Sequence, residues 1–278
     1  MTMPANMNKL INAIKATNNQ DRALPFSVYS SIKEQHLLNV PVVKPLFIAV
    51  LDGDKKLGKE GEIVCRAGDF IFLSDNPAIN MRNIPKEKEY FALLIEFDYQ
   101  DFDGIGAKTV SDKSYSIGEI SIALAKCLQQ FVEWSLYSPK ELWSLRRKEI
   151  LHLLYHLGHK DILAMATPHK LGQKIHAILS KQPSAEISLT AICQQVAMSE
   201  STLRRKLAAE RTTVQEIKDQ VKLGLGLHLL QTTSHAIVYI AEQCGYQSQS
   251  RFSSRFKARF GLTPSALRKT KQKIKVTE

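Results

Sequence analysis

The residues best equipped for chemistry lie near the end of the chain, in GYQSQSRFSSRFKARFGLTPSALRK at 245–269. Arg251, Arg255, Lys257, Arg259, Arg268 and Lys269 supply cations and the stretch has no acidic residue, yet Phe252, Phe256 and Phe260 recur every four residues. A second stretch, STLRRKLA at 201–208, has the same layout around Leu203 and Leu207. On a helix, positions 203 and 207, or 252 and 256, lie one turn apart on one face. The opposite stripe then carries Ser201, Arg204, Arg205 and Ala208 in one copy, and Ser250, Ser253, Ser254 and Lys257 in the other. Hydroxyls and arginines on such a stripe can enter a major groove and hydrogen-bond base edges, arginine pairing best with guanine. Lys206, Arg251, Arg255 and Arg259 flank the stripes, and with Lys257 they can neutralise phosphates. The plain alternative for all these charges is a solvated helix surface.

Other chemistry is thinly represented. His152, His156 and His159 fall at i, i+4 and i+7, a spacing that can hold a divalent metal on one helical face. No acidic or cysteine ligand is close in sequence, so packing or surface histidines, or a pH-responsive face, are the competing readings. No G-x-S-x-G, P-loop or G-x-G-x-x-G occurs. The expectation is no catalytic residue, no metal and no cofactor.

The charge is unevenly divided. Residues 168–278 hold 18 Lys+Arg against 7 Asp+Glu, whereas 1–167 hold 20 of each, so the whole surplus of +11 lies in the last two-fifths of the 278 residues. A neutral half joined to a strongly basic half points to a module that meets a polyanion, nucleic acid first. Hydrophobic content of 44% supports real cores. No apolar run reaches membrane-spanning length, and the N-terminus lacks the long apolar segment of a signal peptide. Cys65, Cys127, Cys193 and Cys244 stand far apart with no C-x-x-C pair, which reads as free thiols in a reducing cytoplasm.

These side chains need elements to position them. After a short N-terminal helix, 26–100 read as strands: PLFIAVL (45–51), EIVCRA (62–67), DFIFLS (69–74) and YFALLIEF (90–97). Turn chemistry at Asp52-Gly53-Asp54, Gly58, Gly61, Gly68-Asp69, Asn76-Pro77 and Asn83 to Pro85 separates them. That spacing predicts a small antiparallel barrel or jelly roll. From Ile117 the period changes to three and four through Ile120, Leu124, Leu128 and Phe131, and again from Leu142 to Leu157. Two helices parted by Ser138-Pro139 are predicted within about 117–160. A domain boundary falls near Met165–Pro168, with Pro168 at the first turn of a new helix. The organisation is then 1–165, 168–270 and a basic tail, 271–278.

The basic segment contains a repeat. Leu189, Ile192, Cys193, Ala197 and Met198 match Ile237, Ile240, Ala241, Gly245 and Tyr246 at an offset of 48. Ser199, Leu203 and Leu207 match Ser248, Phe252 and Phe256 at 49. Each copy reads as a helix, a tight turn at a small residue, and a second helix N-capped by serine. That is a helix-turn-helix unit, and a long helix between the copies joins them. Two such helices about 34 Å apart can enter successive major grooves. Gly224 and Gly226 in the joining helix read as sites of close packing, or of a softened hinge.

The ordered string Ile237, Ile240-Ala241, Gly245-Tyr246, Gln249-Ser250, Phe252, Phe256-Lys257, Phe260-Gly261, Thr263-Pro264 and Arg268 resembles the C-terminal signature of the AraC/XylS transcription regulators. Met198-Ser199, Leu203, Arg205, Lys222-Leu223, Gly226 and Leu229-Leu230 extend the resemblance over about a hundred residues. Where that family usually has arginine, alanine and often arginine, this chain has Lys222, Gly226 and Ser254. The first unit, with Arg204 and Arg205, is therefore the better candidate for direct readout. The base-reading set is Ser201, Arg204, Arg205, Gln249, Ser250, Ser253 and Ser254. More weakly, 40–98 resembles the cupin-like sensing barrels of the family. His36 is the only histidine before 152, so a cupin metal centre cannot be assembled there.

The fold expected is thus α+β: a cupin-like antiparallel β-barrel followed by helices, then an all-α domain with two helix-turn-helix units. The resemblance implies a cytoplasmic, nucleoid-associated bacterial regulator, more an activator than a repressor, with promoter DNA and RNA polymerase as partners. It also implies a homodimer through 117–160, and control by a small effector bound in the barrel. Control by a partner protein is the alternative, and a nonspecific architectural DNA protein is a third reading.

Overall fold

The computed structural model describes residues 5–17, 23–74, 76–106, 113, 115–165 and 170–271. The boundary around Pro168 and most of the basic tail lie outside these residues. Among the described residues a helix, α1 (Ala5–Thr17), precedes nine strands: β1 (Ser27–Ser31), β2 (Gln35–Val42), β3 (Leu46–Asp52), β4 (Asp54–Leu57), β5 (Ile63–Arg66), β6 (Asp69–Leu73), β7 (Asn76–Ile84), β8 (Tyr90–Glu96) and β9 (Tyr115–Glu119). They form two antiparallel sheets, β1-β8-β3-β6-β9 and β2-β7-β4-β5. The barrel is therefore not closed; it is a pair of facing sheets.

The burial pattern explains the strand sequences. The five-stranded sheet is covered on both sides, so β3, β6 and β8 are continuous apolar runs. One side carries Phe47, Phe70, Phe72, Phe91, Leu93 and Ile95, which pack against α1 and three later helices: α2 (Ile122–Trp134), α3 (Trp143–His156) and α4 (Asp161–Met165). The other side carries Ile48, Val50, Ile71, Leu73 and Leu94, which meet the four-stranded sheet. That second sheet has one outward face, and β2 and β4 alternate accordingly.

Three expectations need correction. Ile117 does not start a helix: it lies in β9 opposite Ile71, and α2 begins after Ser121, whose side chain accepts from the Leu124 amide. The Asn76-Pro77 and Asn83–Pro85 turns do not form as read, because 76–84 is one strand and Asn83 points into the core. Finally, His152, His156 and His159 do not share a helical face. The helix ends at His156, Gly158 takes φ +100°, and His159 turns back onto Phe70 with ring centroids 4.9 Å apart. Gly118 makes the room, since a Cβ there would lie 2.4 Å from the His159 ring.

The remaining helices are α5 (Leu171–Ser180), α6 (Leu189–Gln195), α7 (Glu200–Ala209), α8 (Val214–Thr232), α9 (Ile237–Gln243), α10 (Gln249–Phe260) and α11 (Pro264–Lys269). Leu171, Ile175, Ile192, Leu203, Leu207 and Ile217 make a separate small core around the first repeat. The second repeat is different. Phe252, Phe256 and Phe260 are buried together with Leu37, Val40 and Met81 of the four-stranded sheet, so their core is shared rather than the unit's own.

Candidate nucleic-acid interface

The second helix of each repeat is started by the same device, and the first helix of the first repeat shares it, whereas α9 begins at Ala236 without a side-chain cap. Ser188 caps α6, Ser199 caps α7 and Ser248 caps α10, each side-chain oxygen accepting an amide of the first turn. Such caps are worth about 1 kcal/mol. The turns between paired helices sit at Ala197, φ +52°, and Gly245, φ +72°. Only the second is free of Cβ strain, and its glycine is also needed for space, because a Cβ would meet the Ser184 carbonyl oxygen at 2.8 Å.

Pinning follows from the apolar stripes. Leu203 and Leu207 on α7, and Phe252, Phe256 and Phe260 on α10, are buried. The rings follow one another along α10 in tilted and edge-on contact, with centroids 5.5 Å apart for 252/256 and 4.6 Å for 256/260. Truncating one such ring to alanine costs about 3–5 kcal/mol. The opposite stripes face outward. Ser201, Arg205 and Ala208 are exposed on α7, as are Gln249, Ser250, Ser254 and Lys257 on α10; Ser253 is half-buried.

The charged residues differ in their freedom. Arg204, 67% exposed, pairs with Glu200 one turn earlier at 2.7 Å. An exposed pair of this kind is worth well under 1 kcal/mol, so Arg204 can exchange it for a nucleic-acid partner. Lys206 is exposed. Arg251 donates to Gln247 Oε1 at 3.3 Å, and Arg255 pairs with Asp219 on α8. Arg259 sits elsewhere. It is half-buried against β2, its Nε donating to the Asn39 carbonyl at 2.8 Å while Asn39 Nδ2 donates to the Arg259 carbonyl at 3.3 Å. Asn39 reaches it from a bulge between Leu37 and Val40, where its backbone has φ +48°.

One residue ties the two units together. Lys222 of α8 donates Nζ to Glu186 Oε1 at 2.6 Å, just before the first unit, and to the Gly245 carbonyl at 3.4 Å in the turn of the second. That hydrogen bond, and then the lysine charge, pull the Glu186 carboxyl below its ordinary pKa. Lys218 adds a bond to the Ile187 carbonyl at 2.8 Å. In the sequence Lys222 stands out only as a lysine where the AraC/XylS signature usually has arginine; its clamping role needs the fold.

Comparison with known proteins agrees with this arrangement. A family model for a helix-turn-helix domain matches residues 192–270. The urease operon transcriptional activator of Escherichia coli is 27% identical over 96 residues, 34% of this chain and 32% of that protein. The transcriptional activator RhaR of Salmonella dublin is 30% identical over 120 residues, 43% of each. The aligned stretches span only about a third to two-fifths of these relatives. Fold similarity extends further. The crystal structure of unsaturated fatty acid-bound ToxT from Vibrio cholerae superposes with a TM-score of 0.66 at 16% identity, covering 91% of this chain and 99% of that one. An AraC-type helix-turn-helix DNA-binding segment thus follows a ToxT-like arrangement of sheets and helices. Residues 192–270 are thus similar to the helix-turn-helix domains of AraC-type transcriptional regulators, and the chain as a whole shares the fold of ToxT.

Proposed function

We propose that the chain is a sequence-specific regulator whose two recognition helices, α7 and α10, enter successive major grooves of one promoter. One observation carries this reading: both helices bury an apolar stripe while a polar stripe of Ser201, Arg204, Arg205, Gln249, Ser250, Ser253 and Ser254 is left at or near the surface. Lys206, Arg251, Arg255 and Lys257 hold phosphates. Arg259 joins them only when it leaves Asn39. Residues 168–270 form the DNA-binding domain and 1–165 the controlling one. The α2–α3 region, where Ile122, Leu145 and Tyr137 are 63%, 62% and 83% exposed, pairs two subunits. Contact with RNA polymerase then gives activation.

The fatty acid named in the ToxT structure suggests an apolar small molecule as the effector. A second reading, control by a partner protein, is favoured by the apolar side chains that fill the space between the sheets here. Arg204→Ala and Arg205→Ala test the DNA reading. Each costs about 1–3 kcal/mol of specific binding and relaxes one base position, while Lys257→Ala weakens all sequences alike. Equal loss on specific and random DNA for the arginine variants contradicts their assigned role.

A further inference from the structure

Among the described residues, the inner face of the four-stranded sheet is apolar except along one row. Gln35 on β2 stands opposite Asn83 on β7, Asn83 opposite Lys55 on β4, and Lys55 opposite Cys65 on β5, one residue from each strand. All four are buried, Lys55 to 3% exposure. Their hydrogen bonds run in one sense: Lys55 Nζ donates to Asn83 Oδ1 at 2.8 Å, and Asn83 Nδ2 donates to Gln35 Oε1 at 2.8 Å.

The row does not stop at the sheet. Gln231, buried near the end of α8, donates Nε2 to the same Gln35 oxygen at 3.0 Å. Gln35 Nε2 donates to the Thr270 hydroxyl at 2.7 Å, just beyond α11, and that hydroxyl donates to the Leu267 carbonyl at 2.6 Å. Backbone completes the joint, because the Thr270 carbonyl accepts from the Ile32 amide at 2.8 Å and the Lys33 amide at 3.3 Å.

A carboxamide has one donor end and one acceptor end, so each link fixes the next. Turning Asn83 would set its NH2 against the Lys55 ammonium and withdraw the donor from Gln35, leaving buried groups unmatched. Networks of this kind are satisfied as a whole or not at all. We propose that the row is a latch between the sheets and the two helices that flank the second helix-turn-helix unit, α8 and α11, and that it is the route by which the N-terminal half, from Lys55 onward, controls them. This deepens the reading of 1–165 as the controlling half and rests on it.

The test uses the full chain without DNA and reads amide hydrogen exchange at Ile32 and Lys33, the donors to Thr270. Lys55→Met, two amides removed from Gln231, speeds exchange there by about 5–150-fold, the range of ordinary site-to-site coupling. The Leu203 amide in the first unit keeps its protection and reports an intact fold. Lys55→Met combined with Gln231→Leu goes no further than the larger single effect. Unchanged protection in Lys55→Met, or effects that simply multiply, overturns the proposal. Should Lys55→Met not fold, reciprocity gives the second measurement: Gln231→Leu must loosen the β4 amides of Lys55 and Leu57, and their unchanged exchange also overturns it. Because no DNA is present, failure here leaves the DNA-binding reading standing, and loss of DNA binding leaves the latch standing.

Discussion

Two glycines of α8 separate propensity from packing. A Cβ built at Gly226 lies 2.7 Å from Phe252 Cε2, 2.8 Å from its Cζ and 3.4 Å from Cys244 Sγ; at Gly224 the nearest atom is Pro41 Cγ at 3.6 Å. Carbon atoms in contact prefer about 3.5–4.0 Å, so the Phe252 ring must retreat by about 1 Å from a fully buried position. Overpacking of this kind costs about 1–3 kcal/mol, whereas replacing a helix glycine by alanine returns about 1 kcal/mol. Gly224→Ala therefore stabilises the chain by up to about 1 kcal/mol, and Gly226→Ala is neutral to about 2 kcal/mol destabilising. The difference of about 1–3 kcal/mol is free of the propensity term, which cancels. Urea unfolding of the two full-length variants measures it. Moving Phe252 also moves the stripe on α10, so Gly226→Ala lowers DNA affinity while Gly224→Ala leaves it alone. Equal stabilisation by both alanines, with equal DNA binding, refutes the packing argument.

The two turns give an opposed pair. Ala197→Gly relieves a left-handed backbone strain of about 1 kcal/mol and raises the melting temperature of the first unit. Gly245→Ala adds that strain together with the Ser184 clash, and destabilises by about 2–3 kcal/mol in the same thermal scan. Lys55 supplies a pH test. Burial lowers its ammonium pKa to about 8, below its unfolded value near 10.5, so the unfolded chain binds more protons between those pH values. Its burial cost is full below pH 8 and is relieved as pH rises toward 10.5. The buried thiols Cys65 and Cys244, pushed up to about 12, act in the opposite direction above pH 9. The difference in unfolding free energy between wild type and Lys55→Met isolates the lysine, and it shifts by about 1–3 kcal/mol in favour of wild type from pH 8 to 10. A flat difference shows that Lys55 keeps its ordinary pKa.

What could be read from the sequence is local. Phe252, Phe256 and Phe260 announce a pinned helix by their spacing, Ser199 and Ser248 announce caps, and Ala197 and Gly245 mark the turns. Each depends on residues within a turn or two of one another. The rest depends on cross-strand register or on which surface an apolar stripe meets. Asn83 looks like turn chemistry beside Pro85 and becomes a core amide only because Gln35 and Lys55 stand on either side of it. Ile117 fits a helical period by chance, while the edge of β6 draws it into β9. The phenylalanine stripe shows that α10 is buried on one side but not that β2 forms part of the cover. A signal for the polar row does exist: Gln35, Lys55 and Asn83 occupy inward positions in strands that otherwise alternate. Its meaning appears only when the strands are paired.

The most direct test of the whole account is a binding-site selection from random DNA with the full-length protein at a stated salt concentration, followed by titration of the selected and a scrambled duplex. The account predicts one site with two half-sites about one helical turn apart and a specificity ratio of at least ~10³. A ratio near one, or a single short half-site that binds as tightly as the full site, contradicts it.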